Sequence, residues 1–193
     1  MARSVHLLLV LAALAGCSAT RPSASSVAAG AAPEADALRI ARLERVGRDL
    51  AGYATTDEHL DIALSTRDDL GAWSWPDGRI RVSRALVDAL DDDELRAAVA
   101  HEMGHLLDAG AVADRTTALA GGTGGRPHAA ADIETRADAF ACDLLHARGA
   151  SVAALPRMLR TVASRAAADD DTIDPAQLLV RARVAERSCS ASR

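Results

Sequence analysis

AVAHEMGHLLDAG, residues Ala98 to Gly110, sets two histidines four residues apart with a glutamate directly after the first. An α-helix turns by about 100° per residue, so positions i and i+4 share one face. On a helix, His101 and His105 therefore reach one ion, with Glu102 beside it, which is the spacing of a zinc-binding catalytic helix. The flanks read as helical: Asp91-Asp92-Asp93-Glu94 offers an N-cap and an acidic first turn, Leu95, Val99, Leu106 and Leu107 supply apolar positions, and Gly110 suits the stop. The same spacing also fits an amphipathic helix that carries two solvated or hydrogen-bonded histidines, so a third ligand has to decide.

A catalytic zinc takes three protein ligands and keeps a fourth position for water. Downstream candidates are Glu134, Asp138, His128 and His146. The metzincin pattern is excluded, because the glycine and histidine it needs at 108 and 111 are Asp108 and Ala111. The stretch DIETRADAFACDLLHARG, Asp132 to Gly149, carries Glu134 and Asp138 at i, i+4, again on one face. There the glutamate can bind the ion, and the aspartate one turn on can accept the free ring N–H of a ligand histidine and fix its tautomer. Two carboxylates so spaced are also what a solvated helix face presents. Their position beyond one loop, on a helix able to pack against the first, favours the metal.

HEMGH followed by ETRAD resembles the gluzincin metallopeptidases, in particular the family of the CAAX prenyl proteases and the heat-shock protease HtpX, in a short exported lipoprotein form. AWSWPDGRIRVSRALVDAL is similar to that family's strand, turn, strand and helix entry, and DELRAAVAHEMGHLLDAG to its active-site helix. The resemblance spans roughly Asp57 to Arg160. It implies that His101, His105 and Glu134 bind one zinc ion, that Glu102 is the catalytic base, and that Asp138 supports a ligand histidine. Two departures stand out: the family's His-Pro before the last helix is Asp174-Pro175 here, and the hydrophobic spans of the membrane-embedded members are missing. A group to stabilise the transition state is therefore not assigned; Arg181, Arg183, His128 and the sole tyrosine, Tyr53, are candidates.

Outside this region the chain reads as an exported, anchored protein. Arg3 and the apolar run Val5 to Ala15 form a signal peptide over residues 1–16, too short to span a bilayer comfortably. Leu14-Ala15-Gly16-Cys17 resembles a bacterial lipobox, which would make Cys17 the lipidated first residue of the mature chain and anchor it in a membrane. Ser18 at the following position fits the periplasmic side of the outer membrane better than the inner membrane. Residues 17–33, rich in Ser, Ala, Pro and Gly without a period, form a flexible tether, and one metallopeptidase domain follows over 34–193. With Cys17 assigned to lipid, Cys142 and Cys189 remain, either as a disulfide or as two buried thiols.

A net charge of −5, with no basic cluster interleaved with aromatics, gives no footprint for nucleic acid. Aromatics make up only 2% of the chain, so the core has to be built from Ala, Leu, Val and Ile. Pro33 to Tyr53 reads as an amphipathic helix with Leu38, Ala41, Val46 and Leu50 in rough phase. Leu60, Ile62 and Leu64 alternate as a strand, and Trp73, Trp75, Ile80 and Val82 flank a Pro76-Asp77-Gly78 turn as a hairpin. Helical period returns from Arg84 through the motif to Gly110. A Gly-rich connector follows at Gly121 to Pro127, then helices at Asp132 to Arg148, Ser151 to Arg165, and Pro175 to Ser188, the last capped by Asp174. The expected fold is α+β and mostly helical, a zincin-like gluzincin domain with a small antiparallel sheet.

The expected function is zinc-dependent hydrolysis of peptide bonds in unfolded or misfolded envelope proteins. A substrate would lie as an added strand along Gly71 to Trp75 or Arg79 to Ser83. Competing readings are a zinc-binding lipoprotein that acts as chaperone or assembly factor for outer-membrane proteins, and an anchored interaction domain without metal.

Overall fold

Pro76 and Asp77 start a tight turn that Gly78 completes at φ 88°, a backbone angle that side-chain-bearing residues avoid. The Gly78 N–H donates to the Trp75 carbonyl at 3.0 Å, and the turn joins β2 (Ala72–Ser74) to β3 (Arg79–Ser83) as an antiparallel hairpin. The computed structural model describes residues 31–51, 60–67, 69–118, 128–166 and 173–191, with side chains described except at 31–32, 108–118, 128–132 and 191. The signal peptide, Cys17, the tether up to residue 30, Tyr53 and the Gly-rich connector lie outside the described residues.

The first strand, β1 (Asp61–Ser65), lies parallel to β3, so the sheet has the order β1-β3-β2 and is mixed, not antiparallel throughout. Period-two alternation fixes which face a side chain takes and leaves strand direction open. Direction is set by Asp61, whose N–H donates to the Gly78 carbonyl at 3.0 Å. Its carbonyl and carboxylate accept from Arg81 at 2.8 and 2.6 Å, pinning the start of β1 beside the start of β3. Ile62 and Leu64 then stand opposite Ile80 and Val82.

Helix α1 (Ala31–Leu50) packs its Leu43, Val46 and Leu50 into the core. Of the apolar positions expected to face inward, Leu38 is 67% exposed and Ala41 is also exposed. The inner stripe is rotated because Arg39 and Arg42 on that side are engaged by the next helix. Arg39 pairs with Asp88, and Arg42 donates to the Val87 and Leu90 carbonyls at 2.7 and 3.0 Å, satisfying the otherwise open end of α2 (Arg84–Ala89).

The single helical segment expected from Arg84 to Gly110 is two helices. Leu90 leaves the helical region at ψ 146°, and α3 starts afresh at Asp92 and runs to Ala118. The break serves a capping box: Asp91 Oδ1 accepts the Glu94 N–H at 2.7 Å, and Glu94 Oε2 accepts the Asp91 N–H at 3.1 Å. Gly110 does not stop the helix. A helix-interior glycine costs only about 1 kcal/mol, and the following AVADRTTA contains no proline, so the hydrogen-bond ladder continues.

Three more helices follow: α4 (His128–Ala147), α5 (Ala154–Arg165) and α6 (Pro175–Ala191). Gly149, at φ 65°, ends α4 as expected, and Asp174 Oδ1 accepts the Ala176 and Gln177 N–H groups at the head of α6. Their inner faces close an aliphatic core in which Leu95 and Val99 of α3 meet Leu144 and Leu145 of α4 and Leu155 and Leu159 of α5. Cys142 and Cys189 form a disulfide between α4 and α6 across 47 residues of sequence. Among the described residues no helix is long and apolar enough to cross a membrane.

Replacing Asp91 by Ala should lower stability by about 1 kcal/mol, the usual cost of a lost N-cap; thermal melts of the two proteins read it, and identical midpoints would contradict the cap. Replacing both Cys142 and Cys189 by Ala should cost up to ~4 kcal/mol if the link acts mainly on unfolded-chain entropy, measured as the shift in urea midpoint.

Candidate metal centre

Gly104 lies between the two motif histidines, where α3 meets α4. A Cβ there would stand 2.8 Å from the Ala137 Cα and 3.1 Å from its carbonyl oxygen, closer than non-bonded atoms tolerate. Only glycine lets the two backbones touch at this point. The contact fixes the register: about one turn before Ala137 comes Glu134, immediately after it comes Asp138, and between them they reach the imidazoles that bracket Gly104.

Three donor groups converge there. His101 Nε2 and His105 Nε2 are 3.1 Å apart, with the rings edge-on at 86°. Glu134 Oε2 is 3.3 Å from the first nitrogen, and Oε1 is 3.5 Å from the second. Ligands about 2.0–2.1 Å from a tetrahedral zinc stand about 3.3 Å from one another, so this donor set fits that ion. His101, Glu102 and His105 also offer ligand atoms within 4.8 Å of one another, which keeps the Glu102 carboxylate next to the same point.

Asp138 completes the surroundings of His101. Its Oδ1 lies 3.0 Å from His101 Nδ1, and both side chains are 8% exposed as residues. A carboxylate can only accept, so Nδ1 carries a ring proton, and Nε2 is the nitrogen that would present its lone pair to a bound ion. Arg181 of α6 closes the far side: Nε and Nη2 donate to the two Asp138 oxygens at 2.9 and 2.7 Å, and Nη1 pairs with Glu134 Oε2 at 2.7 Å.

The balance of charge selects a cation. Glu102, Glu134 and Asp138 carry three negative charges against one on Arg181, leaving two, the charge of one divalent ion. Without an ion, a proton on His101 takes up part of that negative charge. Burial alone pushes the His101 imidazole down, yet its hydrogen bonds to Asp138 and Glu134, with Glu102 nearby, raise it to about 9. Burial likewise pushes Glu134 and Asp138 up, and the adjoining His101 and Arg181 bring both below the ordinary carboxylate range. Burial and the neighbouring His101 charge lower His105.

The structure thus brings together His101, Glu102, His105, Glu134 and Asp138. His146 is exposed in the last turn of α4, and Arg183 is exposed on α6, neither at the site. The His128 side chain and Tyr53 lie outside the described residues. Of the four candidates for transition-state support, Arg181 is the one the described structure puts here. The role of Gly104 escaped the sequence reading, although a glycine inside a helix is itself a sign of close approach.

Replacing Gly104 by Ala should push α4 outward, cost about 1–3 kcal/mol through overpacking, and weaken zinc binding by roughly 10–100-fold as the supporting carboxylates withdraw. Thermal melts and competition against a chelating dye measure the two effects. Unchanged affinity would show that the helix contact does not set the donor geometry.

No curated protein matches the chain. Residues 37–121 match the model of peptidase family M48, a stretch that runs from α1 through the motif helix and ends before Glu134. The mostly helical α+β architecture with its small mixed sheet fits the zincin-like fold of that family, whose members use zinc. Over residues 37–121 the chain is similar to peptidase family M48, a family of zinc metallopeptidases that hydrolyse peptide bonds, and its donor set fits that chemistry.

Proposed function

We propose that the protein is a zinc-dependent endopeptidase of the HtpX and CAAX-protease type, in lipoprotein form, clearing misfolded proteins of the cell envelope. The observation that carries the reading is the convergence of His101, His105 and Glu134 within 3.1–3.5 Å of one another, with Glu102 alongside. His101, His105 and Glu134 would hold the ion, and Asp138 keeps His101 in the tautomer that can bind it. When bound, zinc would supply Lewis acidity, lowering the pKa of water toward about 7 and polarising a peptide carbonyl.

Glu102 does the proton work. Placed beside the ligands but needed by none of them, its carboxylate takes the proton of the attacking water and delivers it to the leaving amine. Arg181 acts on the ligand side, fixing Asp138 and Glu134 so that neither swings away as the charge at the centre changes. Of the two candidate strands for substrate, β2 is the one at a sheet edge: β3 lies between β1 and β2, so Arg79 to Ser83 is paired on both sides, whereas Ala72 to Ser74 pairs only with β3 among the described strands. An extended, unfolded polypeptide would add to β2 by main-chain hydrogen bonds.

The envelope location rests on Leu14-Ala15-Gly16-Cys17 and the Ser, Ala and Pro-rich tether after it, with a lipid on Cys17 as the membrane anchor and Ser18 favouring the outer membrane. Digestion of an unfolded protein by the zinc-loaded full chain, wild type against Glu102→Gln, tests the enzyme. Glu102→Gln should keep zinc and lose at least ~10²-fold in rate, the range for a general base. Equal turnover would remove Glu102 from the chemistry. A zinc-loaded wild type that leaves the substrate intact, yet keeps it from aggregating, would make the protein a chaperone or assembly factor.

A further inference from the structure

Beside the histidines a second feature is unused by the chemistry above. A cavity of about 140 Å³ opens from His101, Glu102 and Arg181 and runs between β2, α3, α5 and α6. Beyond those three residues its lining carries no charged group; Ala72, Ala98, Met158, Leu159, Val162 and Leu178 supply its walls. Ala98 stands one helical turn before Glu102, so the apolar wall on α3 lies one turn, about 5.4 Å, along the helix from the residue that handles the proton. The rim is kept bare by Gly71. Its N–H donates to the Ser83 hydroxyl at 3.2 Å, its carbonyl accepts the Ser83 N–H at 2.9 Å, and a Cβ would strike the Trp73 ring at 2.9 Å.

We infer that this cavity is the specificity pocket of the peptidase, taking the side chain of a substrate residue that flanks the scissile bond, and that it selects an unbranched-to-branched aliphatic or single-ring group. The inference rests on the peptidase reading of the neighbouring site. Three properties fix the occupant. A chain paired to β2 runs past Gly71 and Ala72, at the mouth of the cavity, while its backbone passes Glu102. An apolar wall excludes charged side chains, which would be stripped of water with no partner. The volume sets the size, since an apolar cavity of about 150 Å³ holds one benzene: leucine, methionine and phenylalanine fit, and tryptophan does not.

Met158, Leu159 and Val162 all lie on α5, and Leu178 lies on the first turns of α6, so these two helices set the depth. Val162 and Leu178 are only partly buried, which makes them the positions to change without emptying the core.

The test is a peptide library digested by the zinc-loaded full chain, with cleavage sites read by mass spectrometry. Alongside it, the Glu102→Gln protein is titrated with two uncleaved peptides that differ only by leucine or aspartate at the preferred position. The expected result is leucine, methionine or phenylalanine next to the cut, favoured over alanine by roughly 10–200-fold or more, and leucine-selective binding to Glu102→Gln. Val162→Phe should shift the profile to alanine and valine, and Leu178→Ala should admit tryptophan. Cleavage with no preference beside the cut, or with a profile that neither variant moves, overturns the pocket and leaves the peptidase standing. Absence of cleavage together with leucine-selective binding overturns the peptidase and leaves the pocket. Absence of both cleavage and selective binding overturns the two together.

Discussion

Gly104 has no side chain, and Ala137 occupies the room that a Cβ would take. From that contact the rest of the centre follows by helix geometry. The residues one turn apart on α4, Glu134 and Asp138, come level with the residues one turn apart on α3, His101 and His105, because all four lie on faces pressed together at a single point. The ladder of each helix does the positioning, and the side chains need only ordinary rotamers. A centre built this way is rigid as long as the two backbones touch, which is the preorganisation that transition-state stabilisation needs.

The second requirement is electrostatic. Three carboxylates packed near two imidazoles would repel one another in a partly buried site, and burial makes each charge more costly. Arg181 answers this with a planar, always charged group that meets Asp138 along two parallel hydrogen bonds and still reaches Glu134 with its third nitrogen. A lysine at 181 would supply the charge without the fork. The hydrogen bonds to Asp138 and Glu134, with Glu102 nearby, explain why His101, despite being buried, favours positive charge.

Much of this was legible in the order of residues. HEMGH declared the imidazole pair and the glutamate beside it, and ETRAD declared the carboxylates, because i, i+4 spacing converts directly into a shared helix face. Strands and turns were also legible where the local chemistry is specific, as at Pro76-Asp77-Gly78. The parallel course of β1 was not, since alternation carries no direction and the deciding contacts, Asp61 to Gly78 and Arg81, are tertiary. Nor was the continuation of α3 past Gly110, where no local breaker opposes the ladder. Arg181 could be named as a candidate but not chosen over Arg183, as two arginines two positions apart differ only in which face the packing of α6 turns inward.

The chain order of the site has its own consequence. Arg181 comes 43 residues after Asp138 and 80 after His101, so the group that holds the aspartate arrives on a separate, later helix. Until α6 docks, the carboxylates have no guanidinium between them. The ion pairs of the site are thereby completed only by the last helix of the domain, which ties the order around the histidines to the docking of α6.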